Sequence, residues 1–147
     1  MGIPRGRVGA LILSLAVPCG CAGALEDPDR FPPPTCTLRG FDVPADLLAV
    51  RCGSGDCHAA PTVAAQLDLV SPGVASRLLD AVSQGCPPRR LVDTSSPAMS
   101  YLLDKVSAVP RCGDPMPLGQ LPLPEDEKAC LEGWVTAVAA GSGETDS

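Results

Sequence analysis

Six cysteines, Cys36, Cys52, Cys57, Cys86, Cys112 and Cys130, lie in a stretch that carries only three aromatic rings, Phe41, Tyr101 and Trp134. A small domain poor in large apolar side chains gains little from burial alone, so covalent staples are the expected route to a stable fold. Each unstrained disulfide contributes typically about 2–4 kcal/mol. Six cysteines fit three disulfides in any of 15 pairings, or two disulfides and one pair used for something else. The choice between these is the central question the sequence poses.

Disulfides require an oxidising compartment, and the amino terminus supplies an address for one. Arg5 and Arg7 precede an apolar run at 8–17, and Pro18 and small residues follow, which is the order of a secretory signal. The run is about half the length of roughly 20 residues that a membrane-spanning helix needs, so no transmembrane helix is expected in the mature chain. Ala22-Gly23-Ala24 suits a cut before Leu25, while Cys19 or Cys21 offers the alternative of a lipid anchor. The chain thus divides into a signal peptide at 1–24, a proline-rich tether at 25–35, a folded domain at 36–140 and a flexible tail at 141–147. The expected location is the periplasm or cell envelope.

Charge and ring content exclude whole classes of partner. Without residues 1–24, nine Lys and Arg remain against 17 Asp and Glu, a formal charge of −8. With that sign and four aromatic rings in the whole chain, neither phosphate contacts nor base stacking are available, so nucleic acid is excluded. An acidic surface keeps a small exported domain soluble, and it suits a basic partner. The single histidine, His58, excludes a two-histidine zinc site and bis-histidine haem.

Within the folded unit, the apolar spacing predicts four helices. The first covers 44–51, with Asp42 as cap and Val43, Leu47 and Val50 on one side. A second follows Ser71-Pro72, with Val74, Leu78 and Val82 in one stripe and an end near Gly85. The third follows Ser96-Pro97 and sets Met99, Leu102, Leu103 and Val106 at i, i+3, i+4 and i+7, with Met99 in the core. The fourth begins at Pro124, with Glu125, Asp126 and Glu127 favouring the positive end of the helix dipole and Leu131, Trp134, Val135 and Val138 facing inward. A short extended piece is expected at 66–69, and 110–124 reads as a long loop containing Cys112 and Met116.

The chemistry concentrates in Cys52-Gly53-Ser54-Gly55-Asp56-Cys57-His58, followed much later by Asp114-Pro115-Met116-Pro117. Two thiols beside an imidazole suit covalent haem attachment, in which porphyrin edge and axial ligand are fixed by one turn of chain. A methionine thioether opposite would complete a His/Met pair, which raises the reduction potential and suits electron transfer. The plain structural readings are a local disulfide between Cys52 and Cys57 across the glycine turn, a capping role for His58, and Met116 as an apolar plug. Zinc on Cys52, Cys57 and His58 is disfavoured, since adjacent Cys57 and His58 close a tetrahedron awkwardly. A Cys nucleophile with His58 as base is weak for the same reason, and no enzyme activity is expected.

In the order of these features, residues 43–140 resemble a small c-type cytochrome domain of an exported bacterial protein or lipoprotein. The likeness is carried by Cys57-His58, Leu67-Asp68-Leu69, Ser96-Pro97-Ala98-Met99-Ser100-Tyr101-Leu102-Leu103, the Met-Pro loop and a last helix with Trp134. It implies a mainly α fold, a cytochrome c-like bundle of about four helices with long loops, stapled by disulfides. It also implies haem c on Cys52 and Cys57, His58 as proximal ligand, Met116 as distal ligand, and a redox partner protein. Leu67, Leu69, Leu102, Leu103 and Leu118 would then exclude water from the haem, and Trp134 would sit where the last helix packs on the first. The chain departs from the usual attachment motif in having four residues between the cysteines instead of two. The alternative is a haem-less, disulfide-stabilised scaffold or binding module. The remaining cysteines are expected to pair as Cys112 with Cys130 and Cys36 with Cys86.

Overall fold

Asp42 starts the first helix, α1 (Val43–Cys52), by closing a reciprocal cap: its Oδ1 accepts the Ala45 amide at 2.7 Å, while Asp46 Oδ2 accepts the Asp42 amide at 2.8 Å. Pro44 lies in the first turn, where a missing N–H costs nothing. In the computed structural model, which describes residues 2, 36, 40–54 and 57–142, α1 runs Val43–Cys52. It is wound widely, with i→i+5 bonding such as Gly53 N–H to Leu48 O at 2.9 Å. Wide winding puts 43, 47, 48 and 52 on one face. Leu48 is therefore buried with Val43 and Leu47, and Val50, expected inside, is 59% exposed.

The second helix, α2, is a single stretch Val74–Leu78, and it ends well short of Gly85. Beyond it the backbone turns to pair with 90–92, through bridges Leu79 to Val92 and Val82 to Arg90. Asp80 makes the turn at φ 50, a conformation that Asp tolerates better than most residues. Its amide donates to Val92 O at 2.8 Å, and its carboxylate accepts the Thr94 amide and hydroxyl and pairs with Arg90 at 2.8 Å. Val82 is consequently half exposed rather than on a helical stripe.

The third expected helix breaks in two. A tight turn at Pro97–Met99 is followed by α3, Tyr101–Lys105. Between them Ser100 is extended (φ −53, ψ 133) and fully buried, and its Oγ accepts the Asp93 amide at 3.0 Å. That break puts Tyr101, Leu102 and Val106 inside and turns Met99 out to 52% exposure, correcting the core assignment for Met99.

The last helix, α4, spans Glu125–Ala139 directly after Pro124, and it buries Leu131, Val135 and Val138. It packs against α1, α3 and the 97–99 turn. Leu47, Leu48, Leu78, Val92, Leu131 and Val135 form the centre of the core. Among the described residues the chain is mainly helical and has no strand longer than an isolated bridge.

Two disulfides staple this core, using the four cysteines expected but in a different pairing: Cys36 with Cys130 and Cys86 with Cys112. Cys36 lies just ahead of α1 and accepts the Phe41 amide on its carbonyl, so the α1–α4 packing brings it within 5.6 Å of Cys130 (Cα to Cα). Cys86 and Cys112 meet over Tyr101, whose hydroxyl lies 2.8 Å from Cys86 Sγ and 3.0 Å from Cys112 O. The 110–123 segment has no helix, as expected of a loop, and its Leu118 is 63% exposed. The segments expected to form the signal peptide and the tether, with Cys19 and Cys21 as the expected anchor positions, lie outside the described residues apart from Gly2, as does the tail beyond Ser142. Two units divide the chain, 1–31 and 32–147, and the fold above belongs to the second.

Candidate functional site

α1 delivers Cys52 to the site. Because the wide winding turns position 52 inward, Cys52 is half-buried and packs on the core. Burial pushes its thiol up to about 11; Arg51 opposes that rise, and Cys57 and Glu127 add to it. Cys52 is therefore a protonated thiol at neutral pH, and outside the two disulfides. Gly53 follows because nothing larger fits there: a Cβ would collide with Val70 and approach the Ala49 carbonyl to 2.9 Å. Arg51 Nε faces Glu127 Oε2 at 3.2 Å and ties this end of α1 to α4.

The chain then curls back upon itself. The His58 amide donates to Cys52 O at 3.0 Å, the Ala64 amide to Cys57 O at 2.7 Å, and the Leu69 amide to His58 O at 2.8 Å. Cys57 and His58 are both half-buried in this turn. His58 Nδ1 stands 3.1 Å from Ala64 O and 3.1 Å from Leu67 O. Carbonyl oxygens only accept, so Nδ1 carries the proton and, in the neutral ring, Nε2 keeps its lone pair. The imidazole is oriented by its second nitrogen, as metal-ligating histidines are.

The structure therefore brings Cys52, Cys57 and His58 into one turn. Met116 is half-buried in the long loop: its amide donates to Lys105 O at 2.7 Å, while Lys105 Nζ donates to Asp114 O. No hydrogen bond among the described residues links it to His58. Cys36, Cys86, Cys112 and Cys130 are structural, being consumed by disulfides. Among the described residues no three His, Cys, Asp or Glu side chains converge to hold a metal ion, and no helix is long and apolar enough to cross a membrane.

The donor chemistry of the turn fits haem c on the proximal side, with two cysteines beside an imidazole that presents one oriented lone pair. Sequence reasoning did not find the groups that orient it. Ala64 and Leu67 act through backbone carbonyls, and Val63, Ala65 and Gln66 turn that backbone at positive φ with no glycine to announce it. Comparison of the chain with protein-family models, with curated proteins and with solved structures found no match.

Proposed function

We propose that this chain is an exported c-type cytochrome-like protein that passes single electrons to or from a redox partner, with haem c held by Cys52, Cys57, His58 and Met116. The observation that carries the reading is the pair of carbonyls on His58 Nδ1, which leaves Nε2 as an oriented ligand next to Cys57. Bound haem would supply one-electron oxidation and reduction of its iron. In this reading Leu67, Leu69, Leu102 and Leu103 keep water away, Met116 provides the second axial ligand, and no substrate is chemically transformed. The periplasm or cell envelope is the proposed location, reached through the signal at 1–24 and retained there in the lipoprotein form by Cys19 or Cys21.

A second reading, a haem-less disulfide-stapled scaffold, is favoured by Cys52 packing on the core as an apolar side chain. One experiment separates them. The full chain is produced in a host competent for haem attachment, and its mass and reduced absorption spectrum are recorded. A mass gain of one haem that survives denaturation and is lost in His58→Ala supports the cytochrome reading. Colourless protein whose Cys52 reacts with an alkylating agent after unfolding refutes it and leaves the scaffold.

A further inference from the structure

A cavity of about 330 Å³ opens between the 65–68 segment, α2 and the 81–84 stretch. That volume is at the lower end of the range for small-molecule sites, about 300–1,000 Å³. We propose that it binds a small neutral ring compound bearing a hydroxyl or carbonyl group. This inference does not rest on the haem reading: Cys52, Cys57, His58 and Met116 do not line the cavity, and of the leucines that reading uses only Leu67 does.

The lining dictates that ligand class. Leu67, Leu78 and Leu91 contribute an apolar floor, and Leu78 is wholly buried. Two charged groups line the wall, and both are already satisfied. Arg77 donates to Ser71 O at 2.6 Å and to Pro72 O and Asp68 O, while Asp68 accepts the Val70 and Ser71 amides at 2.9 and 3.0 Å and pairs with Arg77 at 3.9 Å. A charged ligand would find no counter-charge free of a partner. The groups left over are neutral. Ser83, 6% exposed, lines the cavity with a hydroxyl that makes no described hydrogen bond, and the Gln66 and Gln84 carboxamides are likewise uncommitted among the described residues. A hydroxyl and two carboxamides above leucine side chains match a ring with one polar edge.

The wall is also strained where it meets this space. Ala65 and Gln66 line the cavity at φ 56 and 58, and Val63 precedes them at φ 41. Such conformations are unfavourable for an L residue, and they gather at ligand clamps. Because the Ala64 and Leu67 carbonyls of this same segment hold His58 Nδ1, an occupant pressing on the wall is felt at the imidazole.

The test is a titration of isotope-labelled full-length protein with phenol, followed by NMR, with benzoate as the charged counterpart. Expected are phenol-induced shifts at the Gln66, Ser83 and Gln84 amides and at the His58 ring nitrogens, with benzoate binding at least about tenfold more weakly. Ala81→Trp, which fills the cavity, should abolish the shifts. The milder pair Ser83→Ala with Gln84→Ala should weaken binding about tenfold while the fold, checked by its amide spectrum, persists. Shifts that map to another surface, benzoate binding as tightly as phenol, or undiminished binding in the folded double variant would each overturn the proposal.

Discussion

Removing the disulfides one at a time should rank them by the length of chain they close. Cys36 and Cys130 are separated by 94 positions, Cys86 and Cys112 by 26. In the chain-entropy account, closing loops of these lengths is worth about 4.7 and about 3.5 kcal/mol at room temperature. Each pair sets one buried sulfur (Cys130, Cys86) against one half-buried sulfur (Cys36, Cys112), so lost packing is comparable and loop length decides the order. Cys36→Ala with Cys130→Ala should therefore unfold at lower temperature than Cys86→Ala with Cys112→Ala. The difference of about 1.2 kcal/mol corresponds to roughly 5–10 °C in a domain near a hundred residues. Thermal unfolding followed by circular dichroism measures the order, and peptide mapping without reduction confirms each remaining bridge. Equal midpoints, or a greater loss from the short loop, would refute the entropic ranking; a Cys36–Cys86 peptide would refute the pairing itself.

Gly53→Ala should destabilise the protein by about 1–3 kcal/mol in urea unfolding, because its Cβ has to displace Val70 and the Ala49 carbonyl. Asp68 is held down to about 2 by hydrogen bonds from Ser71 and Val70, with Arg77 adding a smaller effect. A depressed carboxylate stabilises the fold above its unfolded value of 3.8 and loses that contribution as pH falls toward about 2. Asp68→Asn should flatten that acid limb, and a carboxyl NMR titration should place the wild-type midpoint below the ordinary range. Met116→Ala, in haem-loaded protein, should lower the reduction potential and admit external ligands to the iron; an unchanged potential and spectrum would remove Met116 from the ligand set.

The ends of the fold were legible because local chemistry fixes them. Asp42 caps α1 and Pro124 opens α4, each within a residue or so of expectation. The middle was misread where long-range pairing overrides helical spacing. Val82 follows the α2 stripe in sequence, yet its backbone is engaged by Arg90, and Met99 shares a heptad pattern with Leu102 until Ser100 breaks the turn. Similarly, the four structural cysteines were recognisable as a set, while their partners depended on α4 lying against α1, a packing that apolar periodicity leaves undetermined. Within the site, Cys52, Cys57 and His58 could be grouped from spacing alone. Which carbonyls face Nδ1 could not, because backbone acceptors carry no sequence signature.

Tyr101 offers a sharper way to ask whether the Met116 loop is fixed by the core or merely drapes over it. One hydroxyl proton faces two acceptors, Cys86 Sγ and Cys112 O. Disulfide sulfur accepts weakly, so the carbonyl is the stronger partner. Burial, with Asp104 nearby, raises the phenol above its usual value and keeps that proton in place. The ring lies 5.8 Å from both Arg89 and Lys105, and Lys105 in turn holds the loop through Asp114 O and through its own carbonyl to the Met116 amide. Tyr101→Phe preserves the ring and both cation contacts while leaving the Cys112 carbonyl without its donor. The expected cost is about 1–3 kcal/mol, with the Met116 amide exchanging its hydrogen faster by more than the global loss of stability predicts. If Met116 exchange tracks global unfolding alone, Tyr101 is a core filler, and the loop owes its position to Cys86–Cys112 and Lys105.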